Sequence, residues 1–438
     1  MPISQIKQIP IGKLRRNPAN VRTHPKKQIA ALARLIDQIG FVVPVVADQQ
    51  LIIQSGHARV EAGKTLGLRT VPVVILSGLS DAERRAYSLA DNKLTELAGY
   101  DRPALAVELR ELAPLLEEAG LNIELTGFEP AEIDSIMGDL VDSEQDPLDE
   151  IPEVAKTAVS HRGDIWLLGQ HRLFCGDATD VANVRKLMGR ERAAMVFTDP
   201  PYGVRIASVQ GRGKIRHREF LMGSGEMSRE EHTRFLSDSL ALAVKHSMNG
   251  SIHFVCTDWR HLGETLAAGE EVYAELKNLI VWAKTNAGQG TFYRSQHELI
   301  FVFKNGDAPH TNNFGLGQQG RRRSNLWTYA GANMFGSGRQ DLSMHPTVKP
   351  LALVADAMRD CSRRGDIVLD LFMGSGIAIM AAERVGRRAY GLEIDPLYVD
   401  LSVRRWQAYT KRDAVLQHTG RTFDEVTAVR AKRGGRHG

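Results

Sequence analysis

An α/β architecture, with a parallel sheet covered by helices, is predicted for the C-terminal part of this 438-residue chain, and a smaller α+β unit precedes it. Two observations carry that expectation. From 351 to 409 the pattern alternates: helix 351–363, strand 366–371, a glycine loop, helix 377–385, strand 389–394 and helix 396–409, as in strand–helix units that share one sheet. Upstream, the apolar run Ala-Ala-Met-Val-Phe-Thr ends in Asp199-Pro200-Pro201-Tyr202. This reads as a buried strand running into a rigid turn that presents a carboxylate, fixed carbonyls and an aromatic ring. Parallel sheets place their chemistry at such carboxyl ends.

Length allows two or three domains, each with its own core. Hydrophobic residues make up 43% and charged residues 25%, the balance of an ordinary globular chain. The net charge of +4 is small but uneven. Basic residues cluster in 211–218 (GRGKIRHR), at Arg321-Arg322-Arg323 and in 430–436, where they can neutralise phosphates or simply be solvated. Cys175, Cys256 and Cys361 lie far apart without metal-type spacing, which predicts thiols in a reducing compartment and no metal site. With no apolar run of about 18 residues and no signal-peptide core, the expectation is a cytoplasmic protein without membrane contact.

In the first unit, 1–130, a turn at Pro18 and Asn20 leads to an amphipathic helix at 27–40. Short strands at 42–47 and 51–54 follow, then Ser55-Gly56-His57-Ala58-Arg59, a helix to 67, a strand at 71–76 and helical stretches at 81–93 and 103–120. The acidic, proline-containing DSEQDPLDEIPE at 142–153 lies within an expected linker, 131–160. A hairpin of 163–168 with 171–175 turns at Gly169-Gln170, and a helix at 181–188 precedes the strand before Asp199. The stretch 204–343 is less regular, with a helix near 229–248 and strands near 279–284 and 299–304. Residues 413–438 read as a basic tail.

The loop Asp370-Leu371-Phe372-Met373-Gly374-Ser375-Gly376 follows a strand and opens a helix, so backbone can approach a ligand closely at a helix N-terminus. It lacks the third glycine of a dinucleotide fingerprint. The next strand ends at Glu393-Ile394-Asp395, about twenty residues on, where a carboxylate is placed to accept hydrogen bonds from ribose hydroxyls. Asp395 equally suits capping the helix that starts at Pro396. Together these describe a pocket for an adenosine-bearing small molecule.

With these residues, and with His345-Pro346-Thr347-Val348-Lys349-Pro350, the chain resembles the amino-group (N6-adenine/N4-cytosine) DNA methyltransferases that use S-adenosylmethionine, of the kind found in restriction–modification. The catalytic block precedes the cofactor loop, which is the order of that family's beta group. The resemblance implies a Rossmann-like methyltransferase domain at 161–412, with 204–343 as a target-recognition insert. It makes Asp199, Pro200, Pro201 and Tyr202 catalytic: Asp199 and the Pro200 carbonyl accept the two N–H groups of an exocyclic amine, and Tyr202 stacks on a base flipped out of the duplex. In the cofactor site it implies Phe372, Gly374 and Gly376 along the methionine and ribose, Asp370 at the amino group, Lys349 at the carboxylate supported by Thr347, Glu393 and Asp395 at the ribose end, and Asp177 near the adenine. Ile377 and Ala378 stand where the family often has threonines. Asp at the head of the catalytic block points to adenine N6; N4-cytosine is the alternative.

Double-stranded DNA is the implied partner. The basic residues Arg212, Lys214, Arg216 and Arg218, with Lys284 and Arg294, are the candidate DNA contacts, and Tyr293 to Glu298 offer stacking and base-edge groups. Trp282 suits DNA contact or core packing equally. Residues 1–120 resemble the ParB N-terminal domain, related to the sulfiredoxin fold, through Asn17-Pro18, Val43-Pro44-Val45-Val46, the 55–59 turn and 67–73. That resemblance implies a phosphate or nucleotide site at Gly56, His57 and Arg59, although His57-Ala58 replaces the usual Glu-Arg; a purely structural turn is the alternative. A homodimer is a further expectation. The opposing reading is a ParB-like DNA-binding regulator with a degenerate methylase half, and a third moves the activity to RNA or protein amino groups.

Overall fold

The structure, a computed structural model, describes residues 6–138, 152, 154–202, 227–284, 292–314, 323–329 and 349–434. Thr347, Arg212, Lys214, Arg216 and Arg218 lie outside the described residues. Two compact units result, Met1–Asp142 and Ser143–Gly438.

The first unit begins with β1 (Lys7–Pro10), α1 (Lys26–Ile39), β2 (Val45–Asp48), β3 (Ile53–Ser55), α2 (His57–Thr65) and β4 (Thr70–Leu76). Their strands form a sheet of order β1-β4-β2-β3, with β2 parallel to β4 and the other pairs antiparallel. Val45, Ala47, Ile53, Val60, Val71 and Val73 make its core, which is the every-other-residue pattern of a half-buried sheet. Helices α3 (Asp81–Leu97), α4 (Arg102–Glu118) and α5 (Pro130–Gly138) follow. A capping box starts α3, with the Ser80 side chain accepting from Glu83 N–H and Glu83 accepting from Ser80 N–H.

Two boundaries differ from the sequence expectation. Residues 131–138 are not linker: Ile133 and Ile136 of α5 pack with Ala106 and Leu109 of α4 into a separate small core. Their apolar spacing was masked by the acidic stretch that follows. Residues 413–434 are not a loose tail either. They form β14 (Val415–Leu416), β15 (Arg421–Thr422) and α12 (Phe423–Gly434). Phe423 and Val426 are buried in the main core, and Arg430 donates to both oxygens of Asp164.

The second unit carries, in chain order before those elements, β5 (Ile165–Leu168), β6 (His171–Cys175), α6 (Val181–Met188), β7 (Ala193–Thr198), α7 (Arg229–Lys245), β8 (Ser247–Thr257), α8 (Leu262–Val272), β9 (Glu275–Lys284), β10 (His297–Lys304), β11 (Leu326–Tyr329), α9 (Leu351–Cys361), β12 (Ile367–Asp370), α10 (Ile377–Val385), β13 (Arg388–Glu393) and α11 (Pro396–Thr410). Among the described residues they build an 11-stranded sheet of order β11-β9-β10-β8-β7-β12-β13-β6-β5-β14-β15. Its centre, β8 through β6, is parallel, and both flanks contain antiparallel pairs. The hairpin β5/β6 closes as expected, with Leu168 opposite His171.

Alternation along β7 explains why both faces are covered. Met195 and Phe197 point into the cluster shared with α9, α10 and α11, whereas Val196 packs with α6 and α7. The central strand β8 and helix α8 were not anticipated. A strand buried over Gly250–Thr257 follows α7 after a single residue, so the apolar run reads as continued helix.

Among the described residues no helix is long and apolar enough to cross a membrane.

Candidate active site

Four neighbouring parallel strands deliver the site. In spatial order β7, β12, β13 and β6 end in Asp199, Asp370, Glu393 and the Cys175-Gly176-Asp177 turn. The catalytic turn and the glycine loop, far apart in sequence, are stitched directly: the Thr198 hydroxyl donates to Asp370 Oδ1 at 3.1 Å. Asp370 Oδ1 also accepts from Phe372 N–H at 3.0 Å, which fixes the start of the loop. Burial pushes the Asp370 carboxyl up to about 7.

The loop itself is held by Glu393. Its Oε2 accepts from Gly374 N–H and its Oε1 from Asp395 N–H, both at 2.8 Å. Gly376 caps α10 in the left-handed region at φ +84°, and a Cβ there would lie 2.7 Å from Ser402 Oγ and 3.2 Å from Ser402 Cα. Only glycine fits that approach. Burial raises Glu393, also to about 7. A carboxylate with lone pairs left beyond its two backbone donors, next to a helix N-terminus, fits the hydroxyls of a ribose. The donor set therefore suits an adenosine-bearing ligand.

Ile377 and Ala378 are buried in the core, so α10 starts with packing groups where threonines would offer hydroxyls. Asp395 caps α11, accepting from Leu397 N–H at 3.0 Å. Asp177 Oδ1 closes its own turn by accepting from Thr179 N–H and Oγ1, both 2.8 Å.

On the catalytic side, the Tyr202 hydroxyl donates to Asp199 Oδ1 at 2.5 Å. The Lys349 ammonium lies among Asp199 Oδ2 (2.7 Å), Glu298 Oε2 (2.8 Å) and the Tyr202 hydroxyl (3.0 Å). The residue is 2% exposed, and a cation so buried settles on carboxylates that are themselves removed from water.

Glu298 sits near the start of β10, opposite Trp282 of β9, and also accepts from Lys284. Burial alone would raise Glu298, but Lys349 and Lys284 outweigh it and hold the carboxyl at about 2. For Asp199 the balance runs the other way. Burial and the Glu298 charge exceed the pull of Lys349, and its pKa lies above the ordinary value. Burial would lower Lys349, yet the two carboxylates raise it, so it stays charged.

One contact behind the turn was invisible in the sequence. His232 of α7 bonds to the Pro201 carbonyl through Nε2 at 3.1 Å, which requires the proton on Nε2. Burial lowers its pKa and favours this neutral form. A lone histidine in an amphipathic helix gives no signal of such a role. Glu298 was legible only as one of several base-edge groups, although a carboxylate opening an apolar strand is a flag for a buried charge pair.

The candidate DNA residues divide. Lys284 is tied to Glu298 and lies over the Trp282 ring. Trp282 is core: it is 1% exposed, with its indole N–H on the Tyr329 carbonyl. Arg294 is exposed, beside Phe292 and Tyr293, which are 88% and 82% exposed and stack edge-on.

In the first unit Gly56 adopts φ +99° at the start of α2. The Arg59 guanidinium folds back over it to the Pro44 carbonyl at 3.3 Å, leaving a buried Nε without a partner among the described residues. His57 accepts from Asn17 N–H and is pulled down to about 4, chiefly by burial, so it is neutral.

Residues 193–404 match the family model described as DNA methylase, residues 2–93 the ParB N-terminal domain, and residues 103–162 the ParB-methyltransferase HTH domain. The last spans α4, α5 and the acidic stretch. The type II methyltransferase M2.DpnII of Streptococcus pneumoniae is 24% identical over 233 residues, covering 50% of this chain and 85% of its own. The ParB-like nuclease domain-containing protein YnaK of Escherichia coli (strain K12) is 40% identical over 76 residues, 17% of this chain and 87% of its own. Among solved structures, the M1.HpyAVI–SAM complex aligns with TM-score 0.38 and 18% identity over 53% of this chain and 97% of its own. The chain thus carries a DNA methylase domain at 193–404, with a ParB N-terminal domain at 2–93 ahead of it.

Proposed function

We propose that the chain moves a methyl group from S-adenosylmethionine to the exocyclic N6 amine of an adenine flipped out of double-stranded DNA. The observation that carries this reading is the Thr198–Asp370 bond, which sets the Asp-Pro-Pro-Tyr turn directly against the glycine loop. S-adenosylmethionine supplies an electrophilic methyl carbon on a sulfonium. The chain's own residues must make a weak nucleophile attack it, because the amine lone pair is delocalised into the base.

Asp199 accepts one N–H and the Pro200 carbonyl the other, which localises the lone pair and favours the positive charge that develops on nitrogen. The prolines fix φ and donate nothing, so neither competes for those acceptors. His232 restrains the following carbonyl. Tyr202 presents its ring to the base and is anchored by its hydroxyl. Asp199 would take one amine proton as nitrogen bonds to the methyl carbon, and the bound methyl donor would leave with the S–C electron pair on sulfur. Asp at the head of the turn favours adenine over cytosine within the family resemblance. Glu393 and the loop glycines hold the ribose and methionine; Asp177 and Thr347 complete the cofactor's surroundings, and the basic segment 211–218 with Arg294 meets phosphates.

For the first unit, the unpartnered buried Nε of Arg59 supports a phosphate-bearing ligand at Gly56 and Arg59; neutral His57 adds shape rather than charge there.

Incubation with labelled S-adenosylmethionine and mixed DNA, RNA and protein acceptors, followed by digestion, tests the reading. N6-methyladenine in DNA is expected. N4-methylcytosine, or label in RNA or protein alone, overturns it. Asp199→Ala is expected to abolish transfer while cofactor binding persists.

A further inference from the structure

We infer that Glu298 is a positioning residue: it receives the Lys349 ammonium when the target amine takes that ammonium's place on Asp199. The inference rests on the proposed attack by an exocyclic amine, on either base.

Lys349 uses its three N–H donors on Asp199, Glu298 and Tyr202. The Asp199 oxygens are therefore both engaged, Oδ1 by the Tyr202 hydroxyl and Oδ2 by Lys349. An incoming amine needs one of them. Tyr202 is sequence-adjacent and held by the same turn, so Oδ2 is the oxygen to be exchanged. Lys349 cannot retreat to water: it is 2% exposed and follows directly on into α9, whose first residue Leu351 is fully buried. A buried ammonium losing one carboxylate must keep another, or the cost exceeds what the pair contributed.

Glu298 is built for that task. It is 7% exposed, it already accepts from Lys349, and its other oxygen is pinned by Lys284. Its strand is fixed in register between β9 and β8. The Trp282 ring, with its centroid 5.8 Å from Lys349 Nζ, gives the ammonium a second favourable face on that side. Two carboxylates and two ammoniums balance in this cluster. Exchange of a neutral amine for Lys349 on Asp199 leaves that balance unchanged, so no net charge is buried when the base arrives. After transfer, the return of Lys349 to Asp199 favours the ionised carboxylate and releases the proton it took.

Glu298→Gln tests this. With no carboxylate to receive it, Lys349 stays on Asp199 and blocks the amine. The expected result is a fall of about a hundredfold in kcat, with KM for DNA and the calorimetric Kd for S-adenosylmethionine within about threefold of wild type; two orders of magnitude correspond to about 2.7 kcal/mol. Removing the competitor as well, in Glu298→Gln/Lys349→Met, is expected to restore at least tenfold over the single variant.

Glu298→Gln should also move the acid limb of kcat/KM to lower pH. The groups facing Asp199 are Lys349, Tyr202, Glu298, Cys256 and Asp370, with Lys284 behind Glu298. Only a like charge is lost from that set. A Glu298→Gln kcat within threefold of wild type overturns the inference. So does a double variant no more active than the single one, or an acid limb that stays in place or moves up. If wild type yields N4-methylcytosine, the adenine reading fails while the same comparison still decides the role of Glu298.

Discussion

Replacing Lys349 by Met keeps the volume of the side chain and removes only its charge, which makes the burial of Asp199 and Glu298 measurable. Asp199 keeps 24% and Glu298 9% of their side-chain surface exposed, so little water reaches Glu298. The distance between the ordinary carboxyl value of 4.5 and the value of about 2 held in the fold corresponds to about 3 kcal/mol of preference for ionised Glu298. Breaking a buried pair by deleting one partner costs about 3–5 kcal/mol. Lys284 shares in holding Glu298 down, so the expected loss at pH 8 is set by the pair-breaking cost of about 3–5 kcal/mol.

The pH dependence follows from the signs. In wild type, the depressed Glu298 contributes stability above 4.5 that is lost only as pH falls toward 2, so it is fully present between pH 5 and 8. In Lys349→Met, the folded pKa of Asp199, already above its ordinary value, rises further, and that of Glu298 rises with it. The folded variant then binds more protons than the unfolded chain, and its stability falls as pH rises. The gap between the two proteins is therefore expected to be smaller at pH 5 than at pH 8. Asp370 and Glu393, also raised, are common to both and cancel. Urea titration followed by tryptophan fluorescence is the assay. All five tryptophans, 166, 259, 282, 327 and 406, lie in the second unit, so the signal reports this unit alone. A loss below about 1 kcal/mol at pH 8, or an equal loss at both pH values, would refute the buried-cluster reasoning.

Three further outcomes are expected. His232→Ala removes the donor to the Pro201 carbonyl, and a loss of about 1 kcal/mol of positioning should lower kcat several-fold while calorimetry finds S-adenosylmethionine binding unchanged; weakened cofactor binding with normal kcat would contradict it. Gly376→Ala should weaken cofactor binding and lower stability by at least about 1–2 kcal/mol, and adding Ser402→Ala should relieve the contact but not the φ of +84°; full recovery in the double variant would show that the backbone angle is not limiting. Neutralising Arg212, Lys214 and Arg216 together should weaken DNA binding and flatten its dependence on salt, and an unchanged slope would remove the segment from the phosphate contacts.

Local features of the sequence settled a good deal. An unbroken apolar run ending in Asp199-Pro200-Pro201-Tyr202 reads as a buried strand entering a rigid turn, because apolar runs and the fixed φ of proline are properties of adjacent residues. The same holds for the strand–glycine–helix run at 367–385 and for Gly376, whose left-handed backbone angle favours glycine. Thus the parallel centre of the sheet and the strand-end loops at 199–202 and 370–376 were legible in the sequence. The element bounds failed where charge hid periodicity, at α5 and α12, and where one apolar run joined helix to strand, at β8.

What only the tertiary structure decided is the partnership of groups distant in sequence. Lys349 and Asp199 are 150 positions apart and Lys349 and Glu298 are 51, so no spacing rule joins them; the sheet order does, by placing β10 and β7 on either side of β8 and setting α9 against them. Long-range charge pairing depends on which surfaces lose their water together, and that is a property of the packed core rather than of any stretch of chain. The sequence therefore determined which groups are candidates for the chemistry, and the fold decided which of them share a water-poor space.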